Sequence, residues 1–282
     1  MSRDYGFKTK KSLGQNFLQD ESVICDIAEV SQADKNDLVV EIGPGLGVLT
    51  DELSERAGKV IAVELDDRLI PILNARFALH ENVEIVHADI LKYDWTDAIA
   101  ACGKSAEKGG SNGEGKFENL RIVGNLPYYI TTPILLGILE KRVPVKNITV
   151  MVQDEVADRI VASPGGKDYG VLSISLQYYA KVRKVLFVPA ECFKPKPKVN
   201  SAVVELELKN TRPLDPEGEE KFFALVKKAF SQRRKTLPNS LAGIGGRTKE
   251  DIEKLLIEHG FSVQQRAETL TVEDYIELSK EI

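Results

Sequence analysis

The stretch Glu41-Ile42-Gly43-Pro44-Gly45-Leu46-Gly47 follows an apolar run and precedes a segment with helical spacing. Glycines allow the backbone to turn sharply and to approach a ligand closely, as the first junction between strand and helix in a doubly wound α/β fold requires. Its spacing is GxGxG, whereas dinucleotide sites prefer GxGxxG. The turn therefore predicts the first strand–helix unit of a ligand-binding α/β domain.

Short β-branched runs alternate with amphipathic segments from about residue 37 to residue 153, which is typical of a parallel sheet covered by helices. The predicted strands are Leu38 to Ile42, Val60 to Glu64, Val83 to His87, Leu120 to Val123, Ile148 to Val152, Val182 to Val188 and Ser201 to Leu208. This pattern predicts a doubly wound α/β sheet of about seven strands with an antiparallel edge.

The character of the sequence changes after Arg212-Pro213. Helical patterns follow near residues 222–230, 249–259 and 272–281. We therefore predict one domain over residues 1–212 and a small all-helical domain over residues 213–282. The polar, glycine-rich stretch from Cys102 to Lys116 is predicted to be a flexible surface insertion.

The composition is that of a soluble globular protein, with 43% hydrophobic and 29% charged residues in 282. No run approaches the ~20 apolar residues that cross a bilayer, and the first residues lack a secretory signal, so we expect a cytoplasmic protein. The three cysteines and three histidines have neither paired nor metal-ligand spacing. Neither disulfides nor a metal site is predicted.

The net charge of −5 argues against a uniformly basic surface, so a nucleic-acid partner would have to meet local patches. Three basic clusters could supply them. They are Arg3, Lys8, Lys10 and Lys11; Lys181, Arg183, Lys184, Lys194, Lys196 and Lys198; and Lys227, Lys228, Arg233, Arg234 and Lys235.

The segment Asn125-Leu126-Pro127-Tyr128-Tyr129 follows the fourth predicted strand. An exocyclic adenine amine is a poor nucleophile because its lone pair is delocalised into the ring. An enzyme must therefore hold the base and accept hydrogen bonds from the amine. Asn125 offers an amide oxygen, Pro127 makes the backbone rigid, and Tyr128 offers a ring for a base removed from its helix. The segment indicates methylation of a base amine.

Three residues at the ends of successive predicted strands suit an adenosine-bearing cofactor. Gly43 allows a ligand to approach the backbone closely, and Glu64 is placed to accept hydrogen bonds from ribose hydroxyls. Asp89 is placed either to accept a hydrogen bond from an adenine amine or to cap the next segment. Because the next strand carries an amine-methylating segment, these residues favour S-adenosylmethionine over a nicotinamide.

Two further segments, Leu13-Gly14-Gln15-Asn16-Phe17-Leu18 and Phe193-Lys194-Pro195-Lys196-Pro197-Lys198-Val199-Asn200-Ser201, complete a pattern. Over almost the whole chain it closely resembles the KsgA family of small-subunit rRNA adenine dimethyltransferases. The resemblance implies a class I, Rossmann-like methyltransferase that uses S-adenosylmethionine. It also implies dimethylation of two adjacent adenosines in the 3′-terminal hairpin of 16S rRNA, within the 30S subunit or its precursor, and a role in ribosome biogenesis.

Matching positions carry the family's cofactor site onto this chain. Asn16 and Leu18 would close over the cofactor, and Gly43 would lie beneath it. Glu64 would hold its ribose and Asp89 its adenine, while Asn125 would face the reacting centre. The residues expected to bind S-adenosylmethionine are Asn16, Leu18, Gly43, Glu64, Asp89 and Asn125.

For the reaction we expect direct in-line displacement, without a covalent enzyme intermediate. The side chain of Asn125 and the carbonyl of either Leu126 or Pro127 would accept the amine hydrogens. The resemblance places Phe193 opposite Tyr128, so that two rings would enclose one adenine.

Contacts with RNA are expected to be directed mostly at phosphates, and Arg233, Arg234 and Lys235 are the preferred candidates. Two alternatives remain open at this point. The chain could be a 23S rRNA adenine methyltransferase of the macrolide-resistance type, or it could act mainly as a ribosome assembly factor.

Overall fold

The computed structural model describes residues 15–102 and 116–282. They form two compact units, one made of the described residues up to Ala157 together with Arg183–Leu208, the other of Asp158–Val182 with Lys209–Ile282. Residues 158–182 thus group with the carboxyl-terminal segment, although they precede residue 212. The division into domains 1–212 and 213–282 stays a prediction.

The first unit is built around a mixed seven-stranded sheet. In chain order the strands of this protein are β1 (Phe17–Leu18), β2 (Asp37–Ile42), β3 (Lys59–Glu64), β4 (Val83–His87), β5 (Asn119–Asn125), β6 (Val145–Gln153), β7 (Ala180–Val188), β8 (Phe193–Lys194) and β9 (Ser201–Leu208). The sheet has the order β4-β3-β2-β5-β6-β9-β7. Neighbours from β4 to β6 are parallel, and β9 runs antiparallel to β6. The predicted doubly wound sheet of seven strands is confirmed.

The helices lie between and after these strands. They are α1 (Glu21–Val30), α2 (Val48–Arg56), α3 (Ile70–Arg76), α4 (Thr96–Ala100), α5 (Thr131–Glu140), α6 (Asp154–Val161), α7 (Val171–Tyr179), α8 (Pro216–Ala229), α9 (Leu237–Leu241), α10 (Lys249–Glu258) and α11 (Val272–Ser279). The last four confirm the predicted helical carboxyl-terminal region. Within the two described stretches, no helix has the length and apolarity that a membrane span requires.

Strand β2 shows why the sheet is central. All of its residues are buried, including the charged ones, and Leu38, Val39 and Val40 have no exposed surface. A continuous apolar run without alternation is what a parallel strand covered on both faces needs. The start of α1 is also specified by nearby residues, because the Asp20 carboxylate caps the helix by accepting hydrogen bonds from the N–H groups of Ser22 and Val23.

A buried polar network fixes the amino-terminal ends of β2 and β5. Arg121 is 4% exposed and donates from Nε to Asp37 Oδ2 at 2.5 Å. Its NH1 atom donates to the Ser31 carbonyl at 3.1 Å and to Asn147 Oδ1 at 3.0 Å. A buried charge is tolerated when it is paired and hydrogen-bonded in this way. The network lies at the opposite end of the strands from the candidate site.

Two predicted features fall wholly or partly on residues that the structure does not describe. The basic cluster from Arg3 to Lys11 and the start of the segment Leu13 to Leu18 lie outside the described residues, as do residues 103–115 of the predicted insertion. At the borders of that insertion, Cys102 and Phe117 form an isolated bridge, so its two ends meet.

Candidate active site

A cavity in the first unit lies at the carboxyl ends of β2, β3 and β5, where ligands bind in doubly wound folds. Segment 15–18, which includes β1, lines it as well. Nine of the ten cofactor and catalytic residues named from the sequence line this cavity. They are Asn16, Leu18, Gly43, Glu64, Asp89, Asn125, Leu126, Pro127 and Tyr128.

The glycine turn has a backbone that side chains would obstruct. Gly45 and Gly47 have φ values of 60° and 80°, in the left-handed region that favours glycine. A Cβ atom on Gly45 would lie 3.0 Å from Phe17 Cδ1, and one on Gly47 would lie 2.7 Å from Phe77 Cε2. Phe17 thus packs directly on the turn, which brings segment 15–18 to the cavity.

Glu64 ends β3 and is 7% exposed. Its Oε1 accepts hydrogen bonds from the N–H groups of Leu65 and Asp66, both at 2.8 Å, and its Oε2 accepts one from Gly45 at 3.2 Å. Burial raises the pKa of Glu64, and the three N–H donors oppose that shift. Because Oε2 has a single donor, it is the oxygen left to accept a ligand hydroxyl.

One oxygen of the Asp89 carboxylate is hydrogen-bonded within the protein. Its Oδ1 accepts a hydrogen bond from the Leu91 N–H at 3.0 Å, so it does cap the segment after β4. The capping role and a ligand role are compatible, because a carboxylate has two oxygens. Oδ2 has no hydrogen-bond partner in the described part of the chain.

Glu41 is a cavity residue that the sequence analysis did not assign to the site. It is 1% exposed and accepts a hydrogen bond from Thr50 Oγ1 at 2.6 Å. Burial raises the pKa of Glu41 to about 8, and the neighbouring charge of Glu64 acts in the same direction. At neutral pH the group is therefore mostly a carboxylic acid, able to donate a hydrogen bond. Its position directly before the glycine turn was the available signal.

In the segment after β5, the backbone carbonyls of Leu126 and Pro127 differ in whether they already accept hydrogen bonds. Asn125 Nδ2 donates to the Asn16 carbonyl at 3.3 Å, which leaves Oδ1 as an acceptor. The Pro127 carbonyl already accepts from the Ile130 N–H at 3.1 Å and from Thr131 Oγ1 at 3.3 Å. The Leu126 carbonyl has no donor among the described residues. Of the two alternatives, it is the carbonyl that remains available.

Tyr128 is partly exposed and joins two distant segments. Its hydroxyl forms a hydrogen bond of 2.7 Å with Oγ of Ser201, the buried first residue of β9. Burial raises the pKa of Tyr128, so the hydroxyl stays protonated at neutral pH. The next residue, Tyr129, is 57% exposed and also lines the cavity. Its place at the cavity was not predicted from the sequence.

Phe193 is the predicted residue that the structure does not bring to the cavity. It is 4% exposed and packs in a core cluster with Leu18, Ile24 and Ile27. On β8 it pairs with Leu18 of β1, and it is Leu18 that lines the cavity. The expected arrangement of Phe193 opposite Tyr128 is therefore absent from this conformation, because the ring faces the core.

Segment 15–18 is held by a polar contact as well. Gln15 Nε2 donates to Asp66 Oδ2 at 2.7 Å. Asp66 is 1% exposed and accepts hydrogen bonds from the Arg68 guanidinium, which lowers the pKa of that carboxyl well below its usual range. An ionised, buried acceptor next to Glu64 thus connects the segment to the end of β3.

The basic residues predicted for RNA lie in the second unit. Arg233 NH2 donates to the carbonyls of Lys167 at 2.8 Å and Tyr169 at 3.1 Å. This contact holds the loop before α7 and gives Arg233 a structural role. Arg234 and Lys235 are exposed, and neither has a side-chain partner in the part of the chain described here. The assignment of Arg233, Arg234 and Lys235 to RNA remains a prediction.

The profile of a family described as ribosomal RNA adenine dimethylase matches residues 6–282. The chain belongs to the ribosomal RNA adenine dimethylase family. Two curated relatives are each named ribosomal RNA small subunit methyltransferase A. The one from Alkaliphilus oremlandii is 44% identical over 96% of this chain and 91% of its own length. The one from Clostridioides difficile is 44% identical over 98% of this chain and 91% of its own.

Solved structures agree with the class I methyltransferase fold. The 23S rRNA methyltransferase ErmE has a TM-score of 0.70 and 27% identity, covering 94% of this chain and 98% of its own. A dimethyladenosine transferase from Plasmodium falciparum has a TM-score of 0.77 and 24% identity, covering 94% and 96%. Family membership confirms the predicted enzyme class, an rRNA adenine methyltransferase that uses S-adenosylmethionine.

Proposed function

We propose that this family member methylates the exocyclic amines of two adjacent adenosines in the 3′-terminal hairpin of 16S rRNA, giving N6,N6-dimethyladenosine, in the small subunit or its precursor. The names of relatives at 44% identity support the small subunit, whereas the 23S rRNA enzyme is 27% identical. One observation carries the proposal. A single cavity is lined both by carboxylates suited to an adenosyl group and by the amine-methylating segment.

The cavity fits the cofactor, which supplies a methyl group on a positively charged sulfur. The free oxygen of Glu64 would accept a ribose hydroxyl, and Oδ2 of Asp89 would accept the adenine amine. Gly43 would allow the backbone to approach from below, while Asn16 and Leu18 would cover the cofactor from segment 15–18. A rigid, partly buried setting of this kind needs little reorganisation on binding.

For the substrate amine, the two acceptors are Oδ1 of Asn125 and the carbonyl of Leu126. By accepting both N–H groups they orient the amine toward the methyl group and stabilise the positive charge that develops on the nitrogen. The Pro127 carbonyl is not used, since two donors already occupy it. The proton leaves to water after transfer, so the chain needs no general base with a shifted pKa.

The base is held by aromatic rings. Tyr128 stacks on one face, and its hydrogen bond to Ser201 fixes the ring. Stacking on one aromatic is worth about 1–3 kcal/mol, against the few kcal/mol that extrusion of a base costs. The exposed ring of Tyr129 at the same cavity is available for a second contact. Phe193 supports the wall from the core through Leu18.

The test is to incubate the protein with labelled S-adenosylmethionine and unmethylated small subunits, and then to map the labelled nucleotides. We expect label on two adjacent adenosines near the 3′ end of 16S rRNA. Asn125→Ala should slow labelling far more than it weakens binding of the small subunit, and equal losses would count against its role. The exposed Asn36→Ala serves as the matched control and should remain active. No label on 16S rRNA, or label only at nucleotides other than two adjacent adenosines near its 3′ end, would overturn the proposal.

A further inference from the structure

The loop Lys194–Asn200, called here the lysine loop, begins at the cavity wall. In the antiparallel pair formed by β1 and β8, Lys194 lies opposite Phe17. Phe17 lines the cavity. Directly opposed residues in such a pair have Cα atoms about 4.5–5.5 Å apart. The first lysine of the loop is therefore one strand away from the cavity.

The other end of the lysine loop is held just as closely. Asn200 accepts a hydrogen bond from the Asp154 N–H at its carbonyl and one from the Ala190 N–H at Oδ1, both at 3.1 Å. The next residue, Ser201, bonds to the hydroxyl of Tyr128. Since Pro197 is buried in the middle of the loop, its exposed side chains project from a backbone that is anchored along its length.

The three lysines of this loop differ in their electrostatic partners. All three are exposed. Lys196 Nζ forms an ion pair of 2.5 Å with Glu191 Oε1. Among the residues that the structure describes, neither Lys194 nor Lys198 has a carboxylate partner. In a chain with a net charge of −5, two uncompensated cations on a loop that begins beside the cavity form a local site for an anion.

We propose that the lysine loop binds the RNA backbone beside the target adenosine, with Lys194 and Lys198 each contacting a phosphate. This rests on the proposed function. A base turned into the cavity stays covalently linked to its neighbours, so the flanking phosphates must pass over the cavity rim. Lysines contact phosphates as point charges without reading sequence, which suits this position. Lys196 contributes less because Glu191 already neutralises it.

The test measures binding of unmethylated small subunits as a function of KCl concentration, without methyl donor. Lys194→Gln and Lys198→Gln should each reduce the slope of log K against log salt by about 1, and the double variant by about 2. Lys196→Gln is the matched control and should change the slope by less than half as much. All variants should bind S-adenosylmethionine as the unaltered protein does, which shows that the fold is intact.

The position of the lysine loop on the RNA is tested by hydroxyl-radical footprinting of the same complexes. The unaltered protein should protect the backbone flanking the methylated adenosines, and the double variant should lose that protection. Unchanged slopes, equal effects of all three lysines, or protection lost only elsewhere would each overturn the inference. If the unaltered protein methylates small subunits while these results fail, only the inference falls. If it does not methylate them, the proposed function falls whatever the slopes show.

Discussion

Replacement of Tyr128 tests how the substrate base is held. Compared with Tyr128→Phe, Tyr128→Ala also removes the ring and should cost a further stacking energy of about 1–3 kcal/mol, which lowers kcat/KM by a further factor of about 5 to 150 at 1.4 kcal/mol per tenfold. Tyr128→Phe keeps the ring and loses the 2.7 Å hydrogen bond to Ser201. A net hydrogen bond is worth about 0.5–1.5 kcal/mol, so this change should cost about 2- to 12-fold.

The assay is transfer of labelled methyl groups to unmethylated small subunits under single-turnover conditions, with the affinity for S-adenosylmethionine measured separately. Ser201→Ala should match Tyr128→Phe, and the double variant should be no worse than either single change, because both remove the same interaction. If Tyr128→Ala is within twofold of Tyr128→Phe, the ring does not stack on the base and the reasoning is refuted.

Glu41 should make stability depend on pH: because its pKa is raised from 4.5 to about 8 on folding, its contribution to stability falls as pH rises through that window. Between pH 6 and pH 8, urea unfolding should show the unaltered protein losing about 2 kcal/mol relative to Glu41→Gln, and no relative change would contradict the burial argument. Arg121→Ala leaves Asp37 buried without its counter-charge and should cost about 3–5 kcal/mol in urea unfolding, whereas the control Lys221→Ala, in an ion pair whose two partners are both exposed, should cost less than about 1 kcal/mol; equal losses would count against the network. Arg233→Ala should lower the unfolding free energy by about 1 kcal/mol and speed proteolysis of residues 162–170, because two hydrogen bonds to that loop are lost; unchanged proteolysis would count against this contact.

The strands and the cofactor end of the site could be predicted because their signals are local. Buried parallel strands are continuous apolar runs, and positive φ values in the turn require glycine whatever surrounds them. Since parallel strands end at one edge of a sheet, Glu64, Asp89 and Asn125 had to come together once the strand order was known. The predicted strand Val83 to His87 even has the observed bounds of β4.

The catalytic details could not be read in this way, because they depend on partners far along the chain. The pairing of β1 with β8 places Leu18 and Phe193 side by side in one core cluster, where Leu18 reaches the cavity and Phe193 does not, and a sequence motif does not specify this packing. The Asn125 side chain is oriented by the Asn16 carbonyl, 109 residues away in the chain. The Pro127 carbonyl is occupied locally, by Ile130 and Thr131, but this too depends on how the turn before α5 folds. Periodicity and glycine content therefore determine the elements and their ligand edge, whereas long-range packing and hydrogen bonding determine which atoms at that edge are available to react.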